Sequence, residues 1–515
     1  MLLLFGFPAR AAQSMSNASG TDLFKEGALW VIHITIPPDA VAELRTNSRK
    51  YVAATVREGT NLFEKTGIHL KGSLGSFRNL DDKPALTLSF DKFVPGLRFH
   101  GLRRIYLNNS VEDPSYMNEL LGGEIFRQAG IPAPRVAHAR VNLNGRPLGL
   151  YVLKEGFTED FLALYFRHPV GNLYDPGPGH DVDEALEKQL GNDPEDRRDL
   201  HALAAAAREP DLARRWQRLR NTLDVERFVT FMALELMIGH RDGYCLARNN
   251  FRVYHDVDSE RLMFFPHGMD QLFGNARIPI ELRMNGLVAK ALMEIPQVRL
   301  NYRQHCALLL TNVLVAAKLT ARVDATLTAL RPALTVAEQA ALDRETTALK
   351  ERIAQRLQNV TRQLQDIPLE PLQFHDGVAN LGNWRPIDAP EGGVLVRTNT
   401  IEGKHTLMIQ AGPVTAASWR SKVLLPKGRY RFDGMLRTAS VRPLGFGKNH
   451  GAALRAADFP APRDHRLLGT QGWQKASASF EITNGEQEVD LMCELRASRG
   501  QAWFDLDSLR LVRTE

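Results

Sequence analysis

Cysteine is scarce in this chain of 515 residues, which contains only Cys245, Cys306 and Cys493. No two of them form a Cys-x-x-Cys pair, so the spacing argues against a zinc site and against a disulfide framework. With 44% hydrophobic residues and moderate Gly and Pro content, the composition is that of an ordinary globular protein. The length is sufficient for roughly two to four domains.

Long hydrophobic runs and blocks of one charge are also lacking. No apolar run reaches the ~20 residues of a membrane-spanning helix, so no transmembrane segment is expected. The net charge is only +6, and Lys and Arg are interspersed with acidic residues. Because no basic stretch carries interleaved aromatic residues, the sequence predicts no nucleic-acid partner.

The N-terminal residues 1–21 allow two interpretations. Residues 2–7 are apolar, residues 9–12 read Ala-Arg-Ala-Ala, and residues 13–20 are polar. The first interpretation is the remnant of a secretory signal peptide without its basic start, followed by a flexible linker. It predicts a bacterial protein that is secreted or displayed at the cell surface. The second interpretation is an apolar start that arises by chance.

The pattern of hydrophobic residues changes at about residue 370. Residues 22–110 alternate as in β-strands, and a helix is expected to start at Ser115. Asn144-Gly145 predicts a hairpin over residues 135–153. A charged helical insertion at the surface is expected at about 183–222, and further helices at 278–364. The predicted domains are therefore 22–367, ending at Ile367-Pro368, and a β-rich domain at 372–515.

Residues 239–274 combine the side chains with the clearest capacity for chemistry. Asp242 and Asp270 are 28 positions apart, with Asn249 and Asn250 between them. Residues 250–254 and 262–265 have the pattern of strands, with a polar turn between them. A hairpin would therefore bring both carboxylates and an amide into one small volume.

Oxygen donors of this kind suit phosphoryl transfer. Mg²⁺ prefers oxygen ligands from one or two carboxylates, and a further carboxylate can receive the proton of an attacking hydroxyl. Protein kinases use His-Arg-Asp followed by Asn, five residues after the Asp. Here Asn249 and Asn250 are seven and eight residues after Asp242. The ordinary protein-kinase signature is therefore rejected, whereas a related geometry is not.

The same stretch resembles the CotH family, the atypical secretory kinases named after spore coat protein H. The resemblance rests on Asp-Gly-Tyr at 242–244, Asn-Asn at 249–250, Phe-Pro at 265–266, and Asp270 ahead of Phe-Gly. It implies an atypical two-lobed protein-kinase-like domain that uses ATP and Mg²⁺ or Mn²⁺. Asp242 would be the catalytic residue, and Asp270 with Asn250 or Asn249 would hold the metal. Many members have a second acid where this chain has Gly268, which puts the number of metal ions and the activity in question.

The resemblance also indicates cofactor-binding residues outside this stretch. Lys71 in Lys-Gly-Ser and Lys83 in Lys-Pro are alternative candidates for a phosphate-contacting lysine, and Glu155 stands where the family keeps an acid near the nucleotide. A cation beside the phosphates would offset their mutual repulsion. Each lysine could equally be a solvated strand residue, and Glu155 could form a salt bridge at the rim.

Eight short strands with polar turns are predicted after residue 374, as in an antiparallel β-sandwich. The layout resembles the galactose-binding-like jelly rolls of carbohydrate-binding modules, through Gly-x-Tyr-x-Phe at 428–432 and Trp-Phe-Asp at 503–505. This resemblance implies a glycan partner. Four tryptophans are expected either to fill the core of the sandwich or to form a platform for sugars: Trp384, Trp419, Trp473 and Trp503.

Together these features predict an α+β protein with a kinase-like domain followed by a jelly roll. The expected activity is transfer of the ATP γ-phosphate to Ser or Thr hydroxyls of a protein substrate by a secreted enzyme. The alternative is a catalytically inactive kinase-like surface or cell-wall protein that binds glycans through its sandwich. A third interpretation keeps the nucleotide but transfers AMP or activates glutamate.

Overall fold

The computed structural model describes residues 19–73, 75–365, 371–400, 402–460 and 466–514. The chain divides into two compact units, Met1–Asp366 and Ile367–Glu515. Residues 1–18 of the predicted signal remnant lie outside the described residues, as does the predicted linker at Ile367-Pro368.

The first unit starts with a closed barrel of seven strands in the order β1-β2-β3-β4-β5-β7-β6. Alternation in β1 matches the predicted strand, since Ile32 and Ile34 are buried and Val31 is half exposed. Helix α1 follows β1, and helix α2 lies between β5 and β6 in the chain. The elements are β1 Leu29–Thr35, α1 Pro38–Thr46, β2 Val52–Glu58, β3 Asn61–Lys71, β4 Ala85–Ser89, β5 Arg104–Asn108, α2 Asn118–Gln128, β6 Val136–Leu143 and β7 Arg146–Glu155.

A parallel pairing of β1 with β6 closes the barrel, from Leu29 opposite His138 to Ile34 opposite Leu143. The other neighbouring strands are antiparallel. The predicted Asn144-Gly145 hairpin is confirmed, because β6 and β7 pair across this turn. The Asn144 side chain accepts a hydrogen bond from the Ile36 N–H at 2.7 Å, which fixes the turn against the end of β1.

Helix α2 begins two residues later than expected from Ser115 as its cap, because its cap is Met117. The carboxylate of Asp113 accepts a hydrogen bond from the Asn118 N–H at 2.8 Å and so satisfies a donor in the first turn. Most of α2 is buried, including Glu119 in its first turn. The helix thereby holds one carboxylate inside the protein.

The rest of the first unit combines helices with a four-stranded sheet in the order β11-β10-β8-β9. Helix α6 is buried on nearly every side, as its continuous apolar sequence predicts. The elements are α3 Glu159–Leu162, β8 Leu173–Asp175, β9 Glu187–Leu190, α4 Arg198–Ala207, α5 Leu212–Thr222, α6 Val225–Met237, α7 Tyr244–Ala247, β10 Phe251–Asp256, β11 Arg261–Pro266, α8 Leu287–Met293, α9 Pro296–Asn312, α10 Ala316–Leu330 and α11 Val336–Gln365.

The predicted helical surface insertion at about 183–222 is wrong in two respects. Its first part forms β9, which pairs with β8 at the edge of the sheet. The helices α4 and α5 then pack inward, with Leu200, Leu203 and Leu219 buried in the main hydrophobic core. The apolar residues of the two helices form only a narrow stripe among many charged residues, which makes their buried face hard to recognise in the sequence. A strand of only four residues at a sheet edge gives no clear sequence pattern either.

Membrane-spanning potential is low in this unit. Within the described ranges no single helix is long and apolar enough to cross a bilayer, although the bent pair Pro296–Asn312 and Ala316–Ala333 meets the length and composition requirement jointly.

The second unit is built from nine hydrogen-bonded strands around its own hydrophobic core. The predicted antiparallel pairing is confirmed. However, β16 and β18 are each one long strand where the sequence predicts two shorter ones. The turn expected near 424–429 is an irregularity in the ladder between Pro426 and Gly428, across which pairing continues. The strands are β12 Val378–Asn380, β13 Arg385–Ile387, β14 Val394–Asn399, β15 His405–Gln410, β16 Thr415–Arg442, β17 Gly451–Ala456, β18 Gly469–Ala497, β19 Arg499–Asp505 and β20 Arg510–Arg513.

The four tryptophans of the second unit take different positions. Trp384 and Trp419 are buried in the core, as one interpretation of the sequence predicts. Trp473 and Trp503 are only partly buried and lie on the outer side of the sheet. They are therefore the only pair among these four that a ligand could reach.

Candidate functional site

The predicted hairpin in the central stretch is confirmed, with Phe251 opposite Pro266 and Asp256 opposite Arg261. At its open end the His267 N–H donates to the Asn250 carbonyl at 2.8 Å. The segments that enter and leave the hairpin therefore lie side by side. This explains how Asp242, which precedes β10, and Asp270, which follows β11, reach the same part of the fold.

A cavity of about 650 Å³ opens at this end of the hairpin. Its wall includes five of the seven residues singled out from the sequence: Lys71, Asp242, Asn249, Asn250 and Asp270. The barrel contributes the end of β3, and the helical part contributes the 242–250 loop and the segment after β11. The cavity thus gathers residues that are 199 positions apart, from Lys71 to Asp270.

Two amides hold the carboxylate of Asp242. Asn249 Nδ2 donates to Asp242 Oδ2 at 3.0 Å, and Asn250 Nδ2 donates to the same oxygen at 2.6 Å. Asn250 also donates to the backbone carbonyl of Asp242 at 3.2 Å. All three residues line the cavity, so a substrate hydroxyl or a cation bound there would lie close to this cluster.

Gly268 makes room for this arrangement. Its φ is +52°, in the left-handed region, and a Cβ at this position would overlap the Asn250 side chain. Asn250 itself adopts a φ of +51°. A glycine is therefore needed at position 268 for the Asn250 amide to bind Asp242. The resemblance had predicted an acid at this position.

Asp270 is held in a crowded, acidic environment. The Asn118 side chain at the start of α2 donates to the Asp270 backbone carbonyl at 2.8 Å. Burial raises the pKa of Asp270 to about 7, and the neighbouring carboxylates of Glu119 and Glu112 add to the rise. A cation bound here would relieve this repulsion.

Lys71 is the candidate cation at the cavity. Its ammonium donates to Asn108 Oδ1 at 2.6 Å and lies 4.6 Å from the centre of the Tyr106 ring. Burial lowers the pKa of Lys71 to about 7, and the nearby Lys154 ammonium lowers it further. The carboxylates of Glu119 and Asp270 act in the opposite direction, and a phosphate group would add to their effect.

Lys83 and Glu155 lie apart from the cavity wall. The Lys83 ammonium donates to the Tyr116 hydroxyl at 2.7 Å and lies 5.1 Å from the centre of the Tyr151 ring. Glu155 forms an ion pair with Arg135 at 2.6 Å, and both side chains are buried. In this structure Lys83 packs between aromatic rings, and Glu155 belongs to a buried ion pair rather than to the rim.

A buried pair at the back of the site was not singled out from the sequence. Lys154 donates to Glu119 Oε2 at 2.8 Å, with both side chains almost fully buried. Lys154 also donates to His267 Nδ1 at 3.1 Å. This hydrogen bond requires a neutral imidazole, and burial does lower the pKa of His267 well below its usual value. A lysine on a strand face that is otherwise apolar, adjacent to Glu155, was the available signal.

Arg252 is the second cation that sequence reasoning missed. It is buried on β10, pairs with Asp175 at 2.5 Å, and lines the cavity. Its position between Phe251 and Val253 identifies it as the one charged residue in an apolar run. Burial lowers the pKa of His267, and the charges of Lys154, Arg252 and Lys71 lower it further.

Glu235 and His240 shape the loop that carries Asp242. Glu235 accepts hydrogen bonds from the N–H groups of Tyr244 at 3.0 Å and Cys245 at 2.8 Å, at the start of the short helix α7. These two hydrogen bonds give Glu235 a structural role at the start of the loop. His240 is buried, its Nε2 lies 3.1 Å from the His267 carbonyl, and burial lowers its pKa to about 4. Both residues therefore act on the position of the loop.

The donor set fits a hard divalent cation. In the described part of the chain, no cluster of three or more His, Cys, Asp or Glu side chains could hold a metal by itself. The cavity instead offers the carboxylates of Asp242 and Asp270 and the amide oxygens of Asn249 and Asn250. Mg²⁺ is commonly bound through one or two carboxylates, with water and substrate phosphates completing its shell.

Comparison with known families gives one match that covers more than half of the chain. The family model described as CotH kinase protein matches residues 68–367. This range includes the barrel strands from the end of β3 onward, the hairpin and every residue of the cavity discussed above.

Curated relatives match over shorter segments. The inner spore coat protein H of Bacillus subtilis is 37% identical over 65 residues, which is 13% of this chain and 18% of that protein. The invasin CotH2 of Rhizopus delemar is 25% identical over 193 residues, which is 34% of this chain and 32% of that protein. The matched segments therefore span less than a third of each relative.

Solved structures give only weak overlays. A Helicobacter pylori proinflammatory kinase, CtkA, is 10% identical and covers 58% of this chain and 98% of its own, with a TM-score of 0.26. TmCBM61 in complex with β-1,4-galactotriose is 17% identical and covers 26% of this chain and 90% of its own, with a TM-score of 0.19. Scores this low support no conclusion about fold or function.

Proposed function

Because the chain belongs to the CotH kinase protein family, we propose that it transfers the γ-phosphoryl group of ATP to a Ser or Thr hydroxyl of a protein. The observation that carries this proposal is the convergence of Asp242, Asp270, two amides and Lys71 on one cavity. The barrel and the helical part would serve as the two lobes of an atypical kinase. The same cavity would hold the nucleotide phosphates.

Asp242 has the geometry of a residue that orients the attacking hydroxyl. Two amide donors fix one carboxylate oxygen, which leaves the other to accept the hydroxyl proton. Hydrogen bonds from Asn249 and Asn250 also favour the ionised carboxylate. A positioned acceptor of this type contributes about 10²–10⁴ in rate.

Lys71 is our candidate for the phosphate contact. Its hydrogen-bond partner Asn108 is neutral, whereas the buried Lys154 and Arg252 are already paired with Glu119 and Asp175. Of these three buried cations, Lys71 is thus the one best able to gain from an incoming phosphate. The paired cations would hold the floor of the site in place.

A divalent cation, Mg²⁺ or Mn²⁺, would be held by Asp270 with the amide oxygen of Asn250 or Asn249. When bound, it would neutralise charge on the β- and γ-phosphates. The raised pKa of Asp270 is consistent with this role, because its carboxylate is buried and faces the carboxylates of Glu119 and Glu112.

A nucleotide-binding measurement tests the first half of the proposal. MgATP should raise the melting temperature of the purified chain, since a ligand that binds the folded state stabilises it. Asp270→Ala should abolish the Mg²⁺-dependent part of this shift. The surface variant Asp324→Ala, which removes a carboxylate from α10 far along the chain, serves as the control. An unchanged MgATP shift in Asp270→Ala would contradict the metal-binding role.

A transfer assay tests the second half. Asp242→Asn should retain the MgATP shift and lose phosphorylation of an acceptor protein by about 10²-fold or more. Mass spectrometry of the acceptor distinguishes phosphate on Ser or Thr from AMP or from an amide linkage to glutamate. Full turnover by Asp242→Asn would reject the assignment. A wild-type protein that binds no nucleotide would support the non-catalytic alternative.

The names of the relatives bear on where the chain acts. A spore coat protein and an invasin are among them, which supports our proposal that this protein acts at a cell or spore surface and reaches it by secretion. Fractionation of the native host, with the chain detected by antibody, tests this location. Recovery in the cytoplasmic fraction alone would contradict it.

A further inference from the structure

A polar and aromatic surface covers the outer face of the sheet in the second unit. Strand pairing places Arg437 on β16 opposite Trp503 on β19, and Trp503 opposite Met408 on β15. Met408 is in turn opposite Val396 on β14. The row therefore crosses four strands, and it faces away from the core residues Leu436 and Phe504.

The centre of this row is an arginine held between two indoles. The Arg437 guanidinium carbon lies 4.7 Å from the centre of the Trp503 ring and 5.2 Å from that of Trp473. Its nearest carboxylate is Glu402, at 3.9 Å, and that side chain is 58% exposed. Among the described residues the Arg437 Nε–H has no hydrogen-bond partner. The guanidinium is thus fixed in position without a strong ionic partner.

Positive charge dominates this face. Arg442 is paired with Arg499 across β16 and β19, which places two further cations beyond the Trp503–Arg437 row. Lys475 on β18 lies opposite Met435 and is exposed. The acids Glu402 and Asp505 are fewer, and Asp505 already binds Lys404 at 2.5 Å. An anionic ligand would therefore be attracted to the face.

Hydrogen-bonding groups flank the aromatic row on both sides. The Gln501 amide donates to Gln410 at 3.1 Å on one side. On the other side the buried Oδ1 of Asp505 has no partner within the described ranges. The exposed Gln501 and Gln410 amides can exchange hydrogen bonds with sugar hydroxyls, which both donate and accept.

We propose that this face binds an acidic polysaccharide, with a uronate carboxylate on Arg437 and sugar rings against Trp473, Trp503 and Met408. The indoles hold the arginine in the planar orientation that a carboxylate requires, which lowers the entropic cost of binding. The inference is independent of the phosphotransferase proposal, because every residue in it belongs to the second unit.

Affinity electrophoresis of the full chain provides the test. Polygalacturonate and its fully methyl-esterified form share one backbone and differ in charge, so they separate recognition of the carboxylate from recognition of the sugar. The gel contains no divalent cation, which prevents gelation of the polymer. We expect retardation by polygalacturonate and little or none by the ester.

Arg437→Gln should weaken binding to polygalacturonate by about tenfold or more, the effect of losing a charge-assisted hydrogen bond. The control is Lys422→Gln, which removes one exposed positive charge from the same strand, where Lys422 pairs with Glu488. Trp503→Phe keeps an aromatic ring for packing and should weaken binding less than Arg437→Gln.

Three results would overturn the proposal. The first is equal retardation by the acidic and esterified polymers. The second is equal loss of binding in Arg437→Gln and Lys422→Gln, which would indicate non-specific charge attraction. The third is tighter binding to a single-stranded oligonucleotide than to polygalacturonate, which would indicate a nucleic-acid surface instead.

Discussion

At the scale of single residues, side-chain contacts distinguish candidate site residues that the sequence alone ranks as equal. Lys71 and Lys83 both stand in short motifs in the β-rich region, and no pattern of neighbours distinguishes a lysine at a cavity from one packed on tyrosines. The difference is set by partners far along the chain, since Lys71 meets Asn108 and Lys83 meets Tyr116. Lys154 and Arg252 differ in this respect, because each is a charged residue on an otherwise apolar strand segment, which is a signal in the sequence.

Gly268 provides a prediction at this scale. Gly268→Ala adds a Cβ that overlaps the Asn250 side chain, so the amide should be displaced from Asp242. We expect phosphoryl transfer to fall by about tenfold or more, as for a mispositioned catalytic group. A parallel loss of MgATP affinity would identify Asn250 rather than Asn249 as the amide that holds the metal. Steady-state kinetics and the MgATP thermal shift measure the two effects.

Gly59 is the matched control for this variant. Its φ is +54°, close to that of Gly268, but a Cβ there meets nothing within 4 Å. Gly59→Ala therefore carries the same cost of a left-handed backbone, about 1–2 kcal/mol, without the steric overlap. If both variants lose activity equally, backbone strain rather than displacement of Asn250 is responsible.

At the scale of secondary-structure elements, local signals were sufficient for the hairpins. Asn144-Gly145 and the alternation around the 255–259 turn specify β6–β7 and β10–β11, because both pairings join neighbouring segments. Closure of the barrel depends on Leu29 reaching His138, more than a hundred residues away, and no local pattern encodes that contact. The same applies to β9, whose pairing edge is supplied by β8.

The packing of α6 against α7 gives a prediction about pH. Burial raises the pKa of Glu235 from 4.5 to about 7, although two backbone N–H groups favour its charged form. The folded state therefore holds this proton more tightly than the unfolded state. The free energy of unfolding should fall as the pH rises from about 4.5 to about 7, by roughly 1–3 kcal/mol from this group.

Glu235→Gln removes this titration. The Oε1 of the introduced glutamine can still accept a hydrogen bond from one backbone N–H, but its amide nitrogen would face the other N–H donor. We therefore expect the variant to be less stable than the wild type at pH 5. Chemical denaturation at pH 5 and pH 8 measures the difference. Stability should decline less between these values in the variant than in the wild type, and an identical decline would show that Glu235 is not the titrating group.

At the scale of the whole molecule, the sequence located the change of architecture near residue 370 because composition and periodicity both change there. The sequence alone did not predict that each unit has its own hydrophobic core. The hydrophobic clusters of the first unit contain residues up to Val360, and the cluster of the second begins at Leu381. Each unit therefore has the burial needed to unfold as its own cooperative transition.

Calorimetry of the full chain tests this separation together with both proposed ligands. A ligand at a hundred times its dissociation constant stabilises the state that binds it by about 2.7 kcal/mol. MgATP should therefore raise one transition only, and polygalacturonate only the other. Asp270→Ala should cancel the first shift and leave the second, whereas Arg437→Gln should do the reverse. A single transition that both ligands raise together would mean that the two units unfold as one, which would contradict the expected separation of the two cores.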